Sequence, residues 1–219
     1  MREKIDCFLP CNDLESARDV VAQIKGSKTI QHICLLVNSP LDEGDDSLSD
    51  CQQIVVSDLT SSQTLAAIAN EAKAEYALLQ IRPRQIQMGQ GTLDRMVRIA
   101  TDSDAAMIYA DHYDLIDGKL QPHPVIDYQI GSVRDDFDLG SLILVKTSLL
   151  RTFAQQSTDY KYAGVYALRL FLSREGRIFH INEKLYTEQE TDTRASGEKQ
   201  FDYVNPRNRE GQIEMEHAV

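Results

Sequence analysis

The chain has 219 residues, a mass of 24.7 kDa and a formal net charge of −11 at pH 7. That length fits one α/β domain with a sizeable core, and 26% charged against 42% apolar residues is the balance of a globular domain. The acidic surface argues against non-specific binding to nucleic acid or to an anionic membrane, and no stretch reaches the roughly 20 apolar residues of a membrane helix.

Met1-Arg2-Glu3-Lys4 runs straight into a strand, without the long apolar segment of a secretory leader. Cys7, Cys11, Cys34 and Cys51 include no Cys-x-x-Cys and read as buried, reduced thiols. A cytoplasmic location is expected on both grounds. Ile5 to Leu9 is the first strand, ended by Pro10. Asn12-Asp13-Leu14-Glu15 has the form of a capping box. Leu14, Ala17, Val21 and Ile24 then recur at helical spacing, and Gly26 closes the helix. His32 to Val37 is almost wholly apolar, the pattern of a strand covered on both faces of a parallel sheet. Strand, helix and strand make a βαβ unit. Asn38-Ser39-Pro40 breaks the second strand, and Asp42 to Asp46 is an acidic loop, either a solvated turn or the lip of a cleft. Gln53 to Ser57 is a third strand. Ser61 or Ser62 caps a helix with Leu65, Ile68, Ala69 and Ala72 on one face.

Glu75 to Ile81 is a central buried strand that Pro83 should end at Arg82. Ligands of open α/β sheets bind beyond the carboxyl ends of the strands, so Arg82 and Arg84 stand where phosphate binding or chemistry is expected. The loop Gln85 to Gly91 lacks the Gly-Lys-Ser/Thr ending of a phosphate loop. Leu93, Met96, Val97 and Ala100 form a helical face, and Ala105 to Ala110 is a strand delivering Asp111-His112-Tyr113. Asp117-Gly118 is a hairpin signal. Pro122 to Asp138 is irregular, Leu139 to Val145 is apolar, and Thr147 is placed to cap a short helix. Tyr162 to Ser173 is amphipathic and Gly176 stops it before a strand at Arg177 to Ile181. The chain divides into a domain at 1–190 and an extension at 191–219. The extension reads as a polar tail with helical character from Asn208, the start of a further region of a longer chain.

Two stretches resemble the family 2 glycosyltransferases, which have the GT-A fold. One is the helix that runs through Ala74-Glu75-Tyr76 into the strand ending at Ile81. The other is Gly164 to Leu170, followed by Glu175-Gly176-Arg177-Ile178 and Glu183-Lys184-Leu185-Tyr186. The resemblance covers roughly Ile5 to Tyr186 in layout. It implies an α/β, Rossmann-like three-layer sandwich with a mostly parallel central sheet. It also implies transfer of a sugar from a nucleotide-sugar to an acceptor hydroxyl by direct displacement, in polysaccharide biosynthesis, with a glycan or lipid-linked acceptor as partner. Nucleotide-sugar binding then falls to Pro10, Asn12, Asn38, Ser39, Arg82 and Arg84.

The diagnostic residues differ. The family's first-strand Pro-x-x-Asn becomes Pro10-Cys11-Asn12, and the aspartate after its second strand becomes Asn38-Ser39. Its Asp-x-Asp, which holds Mn or Mg, becomes Ile81, Arg82 and Pro83, so no metal cofactor is expected there. Guanidinium groups can take over the charge of the leaving diphosphate; alternatively both arginines pair with nearby carboxylates. The family's acidic pair, which includes the usual base, falls at Tyr162 and Ala163. Catalytic candidates are therefore Asp111, at a strand end, and Asp136 and Asp138, with Asp135 beside them. An exposed acidic turn is the competing reading of that run. The histidines at 32, 112, 123, 180 and 217 are dispersed and show no zinc spacing. Neither Gly-x-Ser-x-Gly nor Gly-x-Gly-x-x-Gly is present. A nucleotidyltransferase should carry a Gly-rich, Lys/Arg-bearing loop after the first strand, and Pro10 to Glu15 has none. The rival from another class is a non-catalytic GT-A-like module that binds or scaffolds.

Overall fold

The computed structural model describes residues 4–11, 14–41, 48–189 and 209–219. β1 (Ile5–Cys11), α1 (Leu14–Ile24) and β2 (Ile30–Val37) form the expected βαβ unit, and β3 (Gln52–Val55), α2 (Ser62–Glu71) and β4 (Tyr76–Gln80) extend it. There follow β5 (Ile86–Met88), α3 (Thr92–Ser103), β6 (Met107–Ile116), β7 (Lys119–His123) and β8 (Leu142–Lys146). After these come α4 (Thr147–Gln156), α5 (Gly164–Glu175), β9 (Ile178–Gln189) and α6 (Arg209–Ala218). The strands join one sheet in the order β3-β2-β1-β4-β8-β6-β9-β5, with β7 beside β6. β1 is parallel to β2 and β4, β2 to β3, and β6 to β9, while β8 runs antiparallel between β4 and β6.

Alternation along the strands builds two cores, one on each face of the sheet. Phe8, Cys34, Leu36, Ala77, Leu79, Tyr109 and Val145 point toward Leu65 and Ile68 of α2, Leu150 and Phe153 of α4, and Leu168 and Phe171 of α5. Cys7, Leu9, Leu35, Leu78, Ile108 and Leu144 point the other way, onto Val20, Val21 and Ile24 of α1 and Leu93, Met96 and Val97 of α3. The result is a three-layer α/β sandwich whose amino-terminal half is the parallel sheet read from the sequence. Burial pushes the Cys7 and Cys34 thiols up, the latter to about 12, as expected of reduced core cysteines.

Several local expectations change. Pro10 does not end β1: it stays in register with Leu36, because β4 pairs with β1 only as far as Phe8 and the missing amide faces no partner there. β4 ends at Gln80 rather than Arg82. Ser61 caps α2, its hydroxyl accepting from the Thr64 amide. Thr147 does not cap α4: it lies inside the first turn, its hydroxyl buried without a hydrogen bond, and Lys146 holds the cap position. The capping box at Asn12, the acidic loop at 42–46 and the tail at 190–208 lie outside the described residues. Among the described residues, no helix is long and apolar enough to cross a membrane.

Candidate functional site

The carboxyl ends of the parallel strands open onto the loop that leaves β4. Gln80, buried at the last position of β4, donates its side-chain amide to the carbonyls of Arg82 and Arg84, and the Ile81 amide bonds to Ser141 O. This clasp fixes the loop, and the two arginines leave it in different directions. Arg82 Nη2 donates to Asp138 Oδ1 at 2.8 Å. Arg84 Nη1 donates to Glu188 Oε2 at 3.0 Å. Both arginines therefore lie on carboxylates, the alternative left open from the sequence.

Arg82 also lines a cleft of about 190 Å³ with Ile81, Asp135, Phe137, Tyr166 and Arg169. Arg169, the arginine of the late helix, is buried among the rings of Tyr128, Phe137 and Tyr166 and donates Nη2 to Arg134 O, while its Nε has no partner. Two helix N-termini meet near this cleft. The Ser62 amide donates to Tyr160 O, and the Val165 amide to Thr60 O. The contact is close enough that Gly164 has no room for a side chain: a Cβ there would lie 2.5 Å from Ser62 N and Thr60 O. Met215 of α6 lies on the same cleft. A second cavity, about 320 Å³, lies at the ends of β2 and β3 between Asn38, Ser57, Gln63 and Thr64.

The predicted site residues scatter over several environments. Asn38 lines the second cavity and Ser39 is exposed beside it. Pro10 is half-buried in β1 and Asn12 lies outside the described residues. Asp111 is buried; its Oδ1 accepts from the Val125 amide and pairs with His180 Nε2, each at 2.9 Å, so it braces β6 against β9. Asp136 is exposed and held bidentately by Arg134. Asp138 does not line the cleft but joins it through Arg82; the Gly140 amide at 2.9 Å and His123 Nε2 at 2.9 Å also hold it. Burial alone would raise its carboxyl; the Arg82 charge outweighs that, helped by the Gly140 amide and the His123 bond, and holds it below the usual carboxylate range.

The sequence reading missed the row of residues behind Asp138. The β6–β7 hairpin sets His112 opposite His123, and β9 sets Tyr186 on the other side of His112. The three rings stack at 4.3 and 5.1 Å. Two residues further along both strands, Asp114 pairs with Glu188. His123 Nδ1 lies 2.6 Å from Asp114 Oδ2. His112 and His123, apart in sequence, are thus neighbours in space. The hairpin signal at Asp117-Gly118 already contained this, since 112 and 123 are equidistant from it. Burial works against a charge on His123, but Asp114 and Asp138 outweigh it and raise its pKa; His112 is lowered, chiefly by burial.

The positions matching the family's metal motif do not fit a metal ion. Ile81 and Pro83 offer no ligand and Arg82 places a cation there.

The parallel β3-β2-β1-β4 half, the antiparallel β8 beyond it and helices on both faces define a GT-A-like α/β domain. Solved structures share it. S. aureus TarS 1-349 superposes with a TM-score of 0.59 at 11% identity, covering 85% of this chain and 60% of that one. Its complex with UDP-GlcNAc gives 0.59 at 11% identity, covering 87% and 60%. The 4-diphosphocytidyl-2C-methyl-D-erythritol synthase of Anaerococcus prevotii DSM 20548 gives 0.57 at 11% identity, covering 84% and 90%. The chain thus spans about 60% of the TarS chain it matches. No family model and no curated protein matches the sequence.

Proposed function

We propose that this chain binds a nucleotide-sugar across the ends of β1, β2 and β4 and transfers its sugar to an acceptor hydroxyl, as a divergent relative of the family 2 glycosyltransferases. The observation that carries the reading is Arg82. It is a partly exposed cation on the cleft, at the position where the resemblance puts the metal motif, and its partner Asp138 is the carboxylate a diphosphate would displace. The TarS complexes with UDP-GlcNAc and UDP on the same fold support a nucleotide-sugar as donor.

In this reading the donor diphosphate exchanges with Asp138 on the guanidinium. The acceptor oxygen forms its bond to the anomeric carbon as the bond to the diphosphate breaks, and the electron pair leaves with the diphosphate. Arg82 meets the charge that grows on that leaving group. Asp138, released from Arg82 but still held by the Gly140 amide and His123, takes the acceptor proton. A metal supplies this stabilisation in the family; here the step needs only the side chains named.

A second reading, a non-catalytic binding module, is favoured by the absence of an acid at Tyr162 and Ala163. Calorimetric titration with UDP and UDP-GlcNAc, followed by an assay for UDP release with glycan and lipid-linked acceptors, separates the two. Binding with release supports transfer, binding without release supports a binding module, and no binding counts against transfer and leaves the scaffolding form of the module. Affinity should be the same with chelator or Mn2+; a gain of about tenfold, or about 1.4 kcal/mol, that persists in Glu188→Gln would place a metal at the phosphates and contradict the role given to Arg82.

A further inference from the structure

Behind the cleft, His112 Nε2 faces two buried carboxylate oxygens, Asp114 Oδ1 and Glu188 Oε1, and none of the three atoms has a hydrogen bond. His112 Nε2 is 3.6 Å from each of the two oxygens. His112 and Glu188 are fully buried, and Asp114 is largely so. The β6–β9 register sets Asp114 directly against Glu188, a like-charge pairing that destabilises a sheet unless a cation lies between. Arg84 and His123 neutralise only the far oxygens, Glu188 Oε2 and Asp114 Oδ2. A buried orphan carboxylate oxygen is costly, and here two share one histidine.

We propose that His112, Asp114 and Glu188 form a binding site for a divalent first-row transition ion of the Zn2+ or Mn2+ type. Two ligands at about 2.1 Å from a tetrahedral ion are themselves about 3.4 Å apart, so at 3.6 Å His112 Nε2 stands near ligand spacing from each of the two oxygens. One imidazole with two carboxylates selects transition ions over Mg2+ and Ca2+, which prefer oxygen alone. The supporting contacts are those a metal site uses: His123 holds the far oxygen of Asp114 and is in turn held by Asp138, and Arg84 holds the far oxygen of Glu188. His123 lies close enough to His112 and Asp114 to join them, its nearest ligand atom being within 4.8 Å of theirs. Entry is from the β7 side, where the His123 side chain is 35% exposed and that of Asp114 17%. The ion would lock β7, β6 and β9 together; none of its ligands lines the cleft, and the site adjoins the cleft through the His123–Asp138 bond.

The test uses the full chain, stripped with a chelator and titrated with Zn2+, and separately with Mn2+, by calorimetry. One ion per chain is expected, and the Co2+ form should show visible d–d bands without thiolate charge-transfer absorption, which separates this site from the cysteines. Asp114→Asn and Glu188→Gln should weaken Zn2+ by well over tenfold, and His123→Ala, acting through Asp114, by about tenfold, each checked for native circular dichroism. No uptake by the wild-type chain, thiolate bands with Co2+, or unchanged Zn2+ affinity in a folded Glu188→Gln protein would each overturn the proposal. The wild-type titration and spectrum decide it even if a variant does not fold.

Discussion

The carboxylate of Glu214 caps the amide of Ala163, 51 residues earlier in the chain, at 3.0 Å. The same oxygen accepts from Tyr162 N at 2.7 Å, and its partner from Lys161 N at 3.1 Å. The free amides before α5 are thus met by a side chain of α6, as helix N-termini favour. The resemblance puts its acidic pair at Tyr162 and Ala163; the sequence has none there, yet a carboxylate reaches the backbone of both.

This contact makes the docking of α6 sensitive to acid. Burial would raise the Glu214 carboxyl, but the three backbone amides outweigh it and hold it below its usual value. A depressed carboxyl contributes stability that is present above the unfolded value near 4.3 and is lost as the pH falls through the folded one. Protection of the α6 amides against exchange, relative to the intrinsic rate at each pH, should therefore fall below about pH 4.3, before the sheet opens. Glu214→Gln should exchange quickly at neutral pH and lose most of this pH dependence. Identical exchange in the two proteins would contradict the role given to Glu214.

Asp6 ties the start of the sheet together. It is buried in β1, and its Oδ2 accepts from the amides of Lys73 and Ala74 at 2.6 and 2.8 Å while Oδ1 pairs with His32 Nδ1. Asp6→Ala strands two amides where α2 turns into β4. The expected loss is about 2–4 kcal/mol, from the cost of unsatisfied buried groups, measured by urea unfolding. A loss below about 0.5 kcal/mol, the scale of an ordinary surface change, would show that water replaces the carboxylate.

Gly164 tests how closely the two helix N-termini approach. A Cβ would meet only backbone, at 2.5 to 2.6 Å from Ser62 N, Thr60 O and Ser61 C. Gly164→Ala should cost about 1–3 kcal/mol, as overpacking does, even though alanine is the better helix former. An unchanged urea midpoint would mean that α2 and α5 part without cost.

Much of the architecture was legible because it rests on local pattern. The all-apolar runs at Ile33–Val37 and Leu78–Leu79 are strands covered on both faces, and the periodic faces of α1, α2 and α3 cover them. The hairpin was legible too: Asp117 and Gly118 both take positive φ, which Asp-Gly favours. What stayed hidden depends on long-range register. Nothing near Arg84 in sequence announces Glu188, 104 residues away, and Arg82 finds Asp138 across 56. The histidine–carboxylate cluster needed two steps, the hairpin geometry that pairs 112 with 123 and the β6–β9 register that adds 186 and 188. Asp111 was read as a cleft residue from its strand-end position, but β6 runs on to Ile116, which places it inside the sheet.

The central claim is that Arg82 exchanges Asp138 for a nucleoside diphosphate. Calorimetric titration of UDP into the wild-type, Arg82→Ala and Asp138→Asn proteins tests it most directly, because the two substitutions must act in opposite directions. Arg82→Ala removes the cation and should weaken UDP by about 1.5–3 kcal/mol, the scale of a charge-assisted hydrogen bond. Asp138→Asn removes the competing carboxylate and should tighten UDP while abolishing any sugar transfer. Equal affinities in all three proteins, or weaker binding in Asp138→Asn, would contradict the exchange and leave Arg82–Asp138 as a structural ion pair.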